Sequence, residues 1–362
     1  MKAAVLEAYG QPLNVTDIDI ADPQAHEVKV AIRAAGVCHS DLSIAQGKVP
    51  YPTPCVLGHE GAGEVVQVGD AVTSVRPGDH VVLMWTPMCG TCFYCRRGQT
   101  HLCDATRAMG MMDDGTSRLS KDGKLVLHGV NTACFAEEAI LRDHAVVKIA
   151  DDIPFEVAAV IGCGVLTGVG AAVNTAKVRP GEAVAVLGCG GVGINVIQGA
   201  RLAGANPIVA IDTVQAKLDM AQRFGATHLV DASAVNAVAQ VAELTGGRGA
   251  DAAFEVVGVP ALARQVFDMT RRGGRSVFVG MAGLTDEVTL PHMFLTLGEK
   301  NVLGCYYGSC DPKRDIPLFL ELWKAGKLDL EGLISQTGKL DDVNGAFEDM
   351  EGGKVIRTVL TP

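Results

Sequence analysis

The chain has 362 residues, a formal charge of −10 at pH 7, 48% hydrophobic and 5% aromatic residues, and 43 glycines. Its length suits two domains better than one core, and the glycine-rich, aromatic-poor mix fits an α/β enzyme with many strand-to-helix turns. The acidic balance gives no reason to expect nucleic acid, which needs a basic face, although a helix N-terminus binds phosphate whatever the global charge.

The opening residues Met1 to Leu6 read as a strand and lack the apolar core of a signal peptide. With eleven cysteines and no such leader, a reducing, cytoplasmic setting is expected. No apolar run is expected to reach the roughly 20 residues of a membrane helix. Val28 to Ile32 and Glu64 to Val68 alternate as strands do, and Val75 to Leu83 sets a Pro-Gly turn before another strand. The half up to about residue 150 is therefore mostly β and crowded with Cys and His. From about Arg179 the texture changes. Ala183 to Leu187 is a continuous apolar run suited to a parallel strand buried on both faces. A helix over Ile194–Ala203, a strand over Pro207–Ile211 and a helix over Gln215–Phe224 follow. Further strands are expected at Ala252–Val256, Ser276–Val279 and Asn301–Leu303. This alternation is the rhythm of a doubly wound parallel sheet.

Cys89, Cys92, Cys95 and Cys103 stand as C-x-x-C-x-x-C-x7-C. A short loop carrying four thiolates at this spacing can close around one tetrahedral zinc and leaves no open position, so the site reads as structural. The alternatives are unrelated buried thiols or one or two disulfides.

Gly188-Cys189-Gly190-Gly191-Val192-Gly193 carries G-x-G-x-x-G between a strand and a helix. The first glycine makes the tight turn, the second admits a pyrophosphate, and the third lets helix and strand pack. Asp212, 24 residues after Gly188, can accept hydrogen bonds from the adenosine ribose and would repel a 2′-phosphate. The cofactor expected is NAD rather than NADP. Lys217 lies where it could reach the same ribose or stand as a solvated surface lysine.

Cys38-His39-Ser40-Asp41, Gly58-His59-Glu60 and the distant Cys163 offer two thiolates and an imidazole. If they converge, a fourth position stays open for water or substrate, as in a catalytic zinc site. Spacing alone does not bring them together.

The combination of these motifs resembles the zinc-containing medium-chain alcohol dehydrogenase family over essentially the whole chain. Thr167, Gly304-Cys305-Tyr306-Tyr307-Gly308 and Lys354-Val355-Ile356-Arg357 match its pattern as well. The resemblance implies a GroES-like, mostly-β catalytic domain over 1–164 and 307–362, and a Rossmann NAD-binding domain over 165–306. It implies two zinc ions per chain, one held by Cys38, His59 and Cys163 and one by the four-cysteine loop. Glu60 would lie just behind the catalytic metal as an occasional extra ligand. Asp41 would fix the tautomer of His59. Arg357 and His39 would flank the pyrophosphate, and Val192 and Thr167 would press on the nicotinamide.

Zinc would acidify a bound alcohol and the cofactor would take the hydride, with Ser40 receiving the alcohol proton. Many relatives end that proton relay on a histidine five residues after the first zinc ligand; Ser43 stands there in this chain. Trp85 matches a position lining the substrate cleft, and Met109, Met111 and Met112 offer an adaptable apolar wall or a surface loop with incidental methionines. The thiol-dependent formaldehyde-oxidising branch carries an arginine where Arg107 stands, and an acidic residue where this chain has Val49. Primary alcohols and their aldehydes are therefore expected as substrates, with a glutathione-type formaldehyde dehydrogenase as the alternative. A zinc-stabilised NAD sensor without catalysis is the reading from another class. The segment between Cys103 and Cys163 retains a loop that shortened, tetrameric relatives lack, and this resemblance favours a homodimer; no nucleic-acid or membrane partner is expected. Ordinary buried thiols are expected at Cys55, Cys134, Cys189, Cys305 and Cys310.

Overall fold

The computed structural model describes residues 1–362. The chain divides into two compact units: Met1–Cys163 with Asp311–Ala325 and Asp329–Pro362, and Gly164–Cys310 with Gly326–Leu328.

In the first unit the strand Glu27–Gly36 is the organising element. It pairs antiparallel with Glu60–Val68, Arg357–Thr361 and Glu138–Arg142, so the C-terminus of the chain returns to its N-terminal sheet. His80–Leu83, Val146–Lys148 and Ile334–Lys339 complete seven strands. A second sheet of six short strands includes Lys2–Leu6, Cys55–Val56 and Lys124–His128. Alternation drives the packing: Val28, Val30 and Ile32 point into a core shared with Leu57, Val65, Val81, Leu83 and Phe135. The strand expected at Glu64 begins four residues earlier, at Glu60, which places the expected ligand segment Gly58-His59-Glu60 on a rigid strand end.

In the second unit six strands form one parallel sheet in the order His228–Asp231, Ile208–Asp212, Val184–Leu187, Ala250–Glu255, Thr270–Phe278, Asn301–Gly304. Numbered along the chain this is 3-2-1-4-5-6, the doubly wound order whose crevice lies beyond the carboxyl ends of the first strands. Val184–Leu187 is wholly buried, as its unbroken apolar run requires. The helix Gln215–Phe224 buries Leu218, Ala221 and Phe224 on one face and ends at Gly225 with φ of 120°. The strand His228–Asp231 was not expected, because its polar ends break the period-two signal.

One expectation is corrected. Phe155 to Thr175 is a helical run of 21 residues, long and apolar enough to cross a membrane by composition, although no apolar run of that length was expected. Its many Gly and Ala residues disguise it in the sequence. Within the protein, 89% of its apolar window is buried, which makes it a core helix.

Candidate active site and metal centres

Cys38 ends the segment after the central strand and caps the short helix His39–Ala45. His59 immediately precedes the neighbouring strand, which Glu60 opens, and Cys163 lies in the π-helical turn Ile161–Val165. Such one-turn bulges in helices recur at functional sites. The structure brings all four together: their ligand atoms lie within 4.8 Å of one another, and every one of these residues is buried.

The surroundings orient them. Asp41, fully buried, contacts His59 Nδ1 at 3.0 Å and accepts the Gly58 amide at 3.0 Å. The carboxylate beside Nδ1 favours the tautomer with its proton there, which leaves the lone pair of Nε2 for a metal. Burial disfavours charge on His59, but the Asp41 carboxylate and the Cys38 sulfur hold its pKa well above the usual histidine value. The Cys163 thiol donates to Cys38 and holds that thiol well below its usual pKa, while the same pairing raises Cys163. Burial lifts Glu60 to about 8 despite the guanidinium of Arg357 at 3.4 Å. Both Glu60 carboxylate oxygens are buried without a hydrogen-bond partner. Two thiols, an imidazole and an under-satisfied carboxylate in a dry pocket form a donor set that fits zinc.

Ser40 is half-buried, 3.9 Å from the Cys38 sulfur, and His39 is exposed. Arg357 is buried; it donates to the Val37 carbonyl at 2.8 Å and faces Glu60. That contact was not foreseen. Gly36 was its sequence signal: a Cβ there would sit 2.3 Å from Glu60 Oε2, so only glycine leaves room for the carboxylate. The Trp85 ring meets His59 edge-on, with centroids 6.1 Å apart. Arg107 is exposed and faces Asp104 at 3.6 Å on its own short helix. Val49 is partly buried against the core, and Met109 and Met111 are exposed while Met112 is buried.

The four-cysteine loop also gathers its sulfurs within 4.8 Å of one another, and all eleven cysteines are free thiols. Backbone amides of Cys89, Cys92 and Cys95 donate to Cys103, Cys89 and Cys92 sulfurs at 3.4, 3.4 and 3.5 Å. Burial resists ionisation of Cys89, yet the donors from Thr91 and Cys92 bring it to about 6. Cys95 is pushed up to about 12 by burial and by the sulfurs beside it. Four sulfurs packed this closely cannot all ionise by themselves, and a closed zinc site with four thiolate ligands removes the conflict.

In the second unit each glycine of the turn has a distinct reason. Gly188 has φ of 101°, and a Cβ on Gly193 would lie 1.9 Å from the Gly188 carbonyl oxygen. Gly190 faces open space, where a ligand can approach the backbone. Gly191 begins the helix Gly191–Leu202. Asp212 accepts the amides of Cys189, Thr213 and Val214 at 2.8, 2.8 and 3.1 Å, so strand end and glycine turn are tied together. Asp212 and Lys217 line a cavity of 680 Å³ with Gly188 and Val257, and its size and mixed lining suit an adenosine. Thr167 and Val192 belong to closely packed helices: a Cβ on the adjacent Gly168 would lie 2.4 Å from the Val192 carbonyl oxygen. Sequence reasoning missed Glu255, a buried carboxylate at the end of the fourth strand that accepts the Val257 and Gly258 amides at 2.8 and 2.7 Å. An acidic residue ending an apolar strand was its only signal. Cys55, Cys134, Cys189, Cys305 and Cys310 are all buried.

This fold is shared with known proteins. Residues 24–151 match the alcohol dehydrogenase GroES-like domain, and residues 191–325 match the zinc-binding dehydrogenase domain. The chain belongs to the zinc-containing medium-chain dehydrogenase/reductase family and is an oxidoreductase of its alcohol dehydrogenase group. It is 42% identical to "putative alcohol dehydrogenase D" of Mycobacterium tuberculosis, over 99% of this chain and 98% of that protein. It is 40% identical to the S-(hydroxymethyl)glutathione dehydrogenase of Paracoccus denitrificans, over 99% of each. Benzyl alcohol dehydrogenase from Acinetobacter calcoaceticus superposes with a TM-score of 0.94 at 33% identity, over 99% of this chain and 98% of that one.

Proposed function

We propose that the protein is an NAD-dependent dehydrogenase of primary alcohols, or a reductase of the corresponding aldehydes, with one catalytic and one structural zinc per chain. The convergence of Cys38, His59, Glu60 and Cys163 in a buried cluster carries this reading. Zinc held there would supply Lewis acidity toward an alcohol oxygen, and bound NAD would supply the hydride acceptor. The residues do the rest. Asp41 holds His59 in the ligating tautomer, and the Ser40 hydroxyl accepts the proton released by the alcohol. Arg357 beside Glu60 offsets a charge on that carboxylate, and the charge of two ionised thiols is left for a divalent ion to balance. Asp212 and Lys217 hold the adenosine ribose, and Gly190 admits the pyrophosphate. Beyond Ser40 the relay runs to water or His39, since Ser43 cannot act as a base near neutral pH.

Trp85 beside His59 and the apolar Val49 favour alcohols with an apolar or aromatic tail. The second reading, oxidation of a thiol–formaldehyde adduct, is favoured by the exposed guanidinium of Arg107 and by relatives that carry that activity in their names. NADH formation by zinc-loaded protein, with ethanol, benzyl alcohol and formaldehyde with or without glutathione, decides between them. Turnover confined to formaldehyde plus glutathione would replace the first reading by the second.

A homodimer is supported by the second unit's surface. The helix His292–Leu297 buries none of its residues, Met293, Phe294 and Leu297 are exposed, and the edge strand Asn301–Gly304 follows shortly after it in the chain. An apolar patch and an unpaired sheet edge call for a covering partner. Light scattering of the wild type and of Leu297→Glu tests it, with a monomeric wild type as the contrary result.

A further inference from the structure

We propose that Asn131 is a positioning residue for substrate selection: its side-chain amide fixes the Trp85 segment against the four-cysteine lobe and thereby sets the wall beside His59. The inference rests on the proposed alcohol dehydrogenase function.

Asn131 sits in a turn of unusual backbone conformation. Val130, Asn131 and Ala133 have φ of 50°, 61° and 58°, a region that costs non-glycine residues energy, most of all a β-branched valine. Such strain persists where surrounding contacts over-determine it, and here they do. Thr132 Oγ1 donates to the Gly58 carbonyl at 2.8 Å, immediately before the ligand His59. The Tyr51 hydroxyl donates to the His128 carbonyl at 2.9 Å at the start of the turn. A Cβ on Gly129 would lie 2.2 Å from the Val56 carbonyl oxygen, so the turn is pressed onto the segment leading to Gly58.

On the other side the His128 amide donates to the Gly110 carbonyl at 3.0 Å, and Asn131 is the side chain that reaches further. Its Nδ2 donates to the carbonyls of Trp85 and Thr106, both at 3.3 Å, and its Oδ1 accepts the Gly110 amide at 3.1 Å. An amide group has two donor hydrogens and an acceptor oxygen, and all are engaged. Thr106 in turn donates to the carbonyl of Cys103, the last cysteine of the loop, at 2.7 Å. One side chain therefore joins three segments: the Trp85 strand end, the helix after the four-cysteine loop, and the methionine-bearing turn at Gly110. Neighbouring Thr132 grips the strand entry of His59. The distance between the Trp85 ring and His59 is thus set from both ends of a two-residue clamp. Asparagine suits the position twice over, since it tolerates a left-handed backbone and offers both hydrogen-bonding senses.

Asn131→Asp tests this. The variant keeps size and left-handed tolerance, but presents carboxylate oxygen to two carbonyls. Asn131→Gly is the second variant, keeping the backbone and deleting the amide. The expected result in both is a shift of at least about tenfold in the benzyl alcohol to ethanol ratio of kcat/KM, carried mainly by KM, the scale on which small changes in pocket shape are read. Zinc content should match the wild type. In a Trp323→Phe background, the emission maximum of Trp85 should move in both variants. In a Trp85→Ala background, Asn131→Asp should leave the ratio where Trp85→Ala alone puts it. An unchanged ratio with unchanged emission overturns the proposal, and so does a shift that persists undiminished without Trp85. Loss of lobe zinc from both variants overturns it too, because Asn131 would then serve the lobe rather than the wall. A wild type inactive on every alcohol would defeat the proposed function, while the emission of Trp85 would still decide the role of Asn131.

Discussion

Replacing Asp212 should change which nicotinamide cofactor is used, and the size of the change follows from its setting. Its carboxylate is held by three backbone amides at the rim of the adenosine cavity, so it cannot swing away from a 2′-phosphate. Two unit charges about 4 Å apart interact by roughly 4 kcal/mol at an effective permittivity of about 20. Partial exposure and salt reduce this to about 2 kcal/mol, a factor of about 30 against NADP. On the other side, hydrogen bonds from the ribose hydroxyls to a charged acceptor are worth roughly 1.5–3 kcal/mol, a factor of about 10 to 100 in favour of NAD. Asp212→Ser removes the charge while its hydroxyl can still accept an amide of the turn. The expected shift in the NAD to NADP ratio of kcat/KM is roughly a thousandfold. Initial rates with each cofactor varied at saturating alcohol measure it. A folded, active variant whose ratio moves by less than about tenfold would refute the electrostatic account of cofactor choice.

Cys163→Ser should leave NAD affinity intact but abolish NADH formation and remove one of the two proposed zinc ions; full zinc retention by metal analysis would show that this buried cluster holds none. Gly193→Ala places a methyl group 1.9 Å from the Gly188 carbonyl oxygen, so turn and helix must part at a cost of roughly 1–3 kcal/mol or more. Calorimetric titration should then show NAD binding lost while both zinc ions remain, and unaltered binding would contradict the packing role. Burial, with help from Arg142 and Arg118, lowers His128 to about 3, and its Nε2 accepts the Arg118 amide at 3.2 Å. The unfolded chain binds the proton first, so this contribution is complete above about pH 6.5 and falls away as pH drops toward the folded value. Between about pH 7.5 and pH 5 the loss is about 2 kcal/mol. The stability difference between wild type and His128→Gln in urea should change by that amount, and a difference independent of pH would reject it.

Local chemistry was readable wherever the partners are close along the chain. The four cysteines between Cys89 and Cys103 span one loop, so spacing alone announces that their sulfurs gather. The glycine turn, the buried run Val184–Leu187 and Asp212 belong to one strand–helix–strand unit, whose periodicity and turn residues follow from backbone sterics and burial on both faces of the sheet. Even here periodicity failed for His228–Asp231, where polar strand ends hide the pattern, and for the helix Phe155–Thr175, whose small residues conceal a long core element. Contacts between distant segments left no such trace. Cys38, His59 and Cys163 are ordinary residues until the antiparallel pairing of Glu27–Gly36 with Glu60–Val68 and the turn at Ile161–Val165 bring their ligand atoms together. The burial of Arg357 against Glu60, the room left by Gly36, and the reach of Asn131 to Trp85 and Thr106 depend on sheet register and on the path of loops. The sequence determines short-range geometry through steric and periodic rules that act within a few residues. Long-range convergence is decided by the packing of whole strands, where one residue's neighbours are set by the fold and not by its own surroundings in the chain.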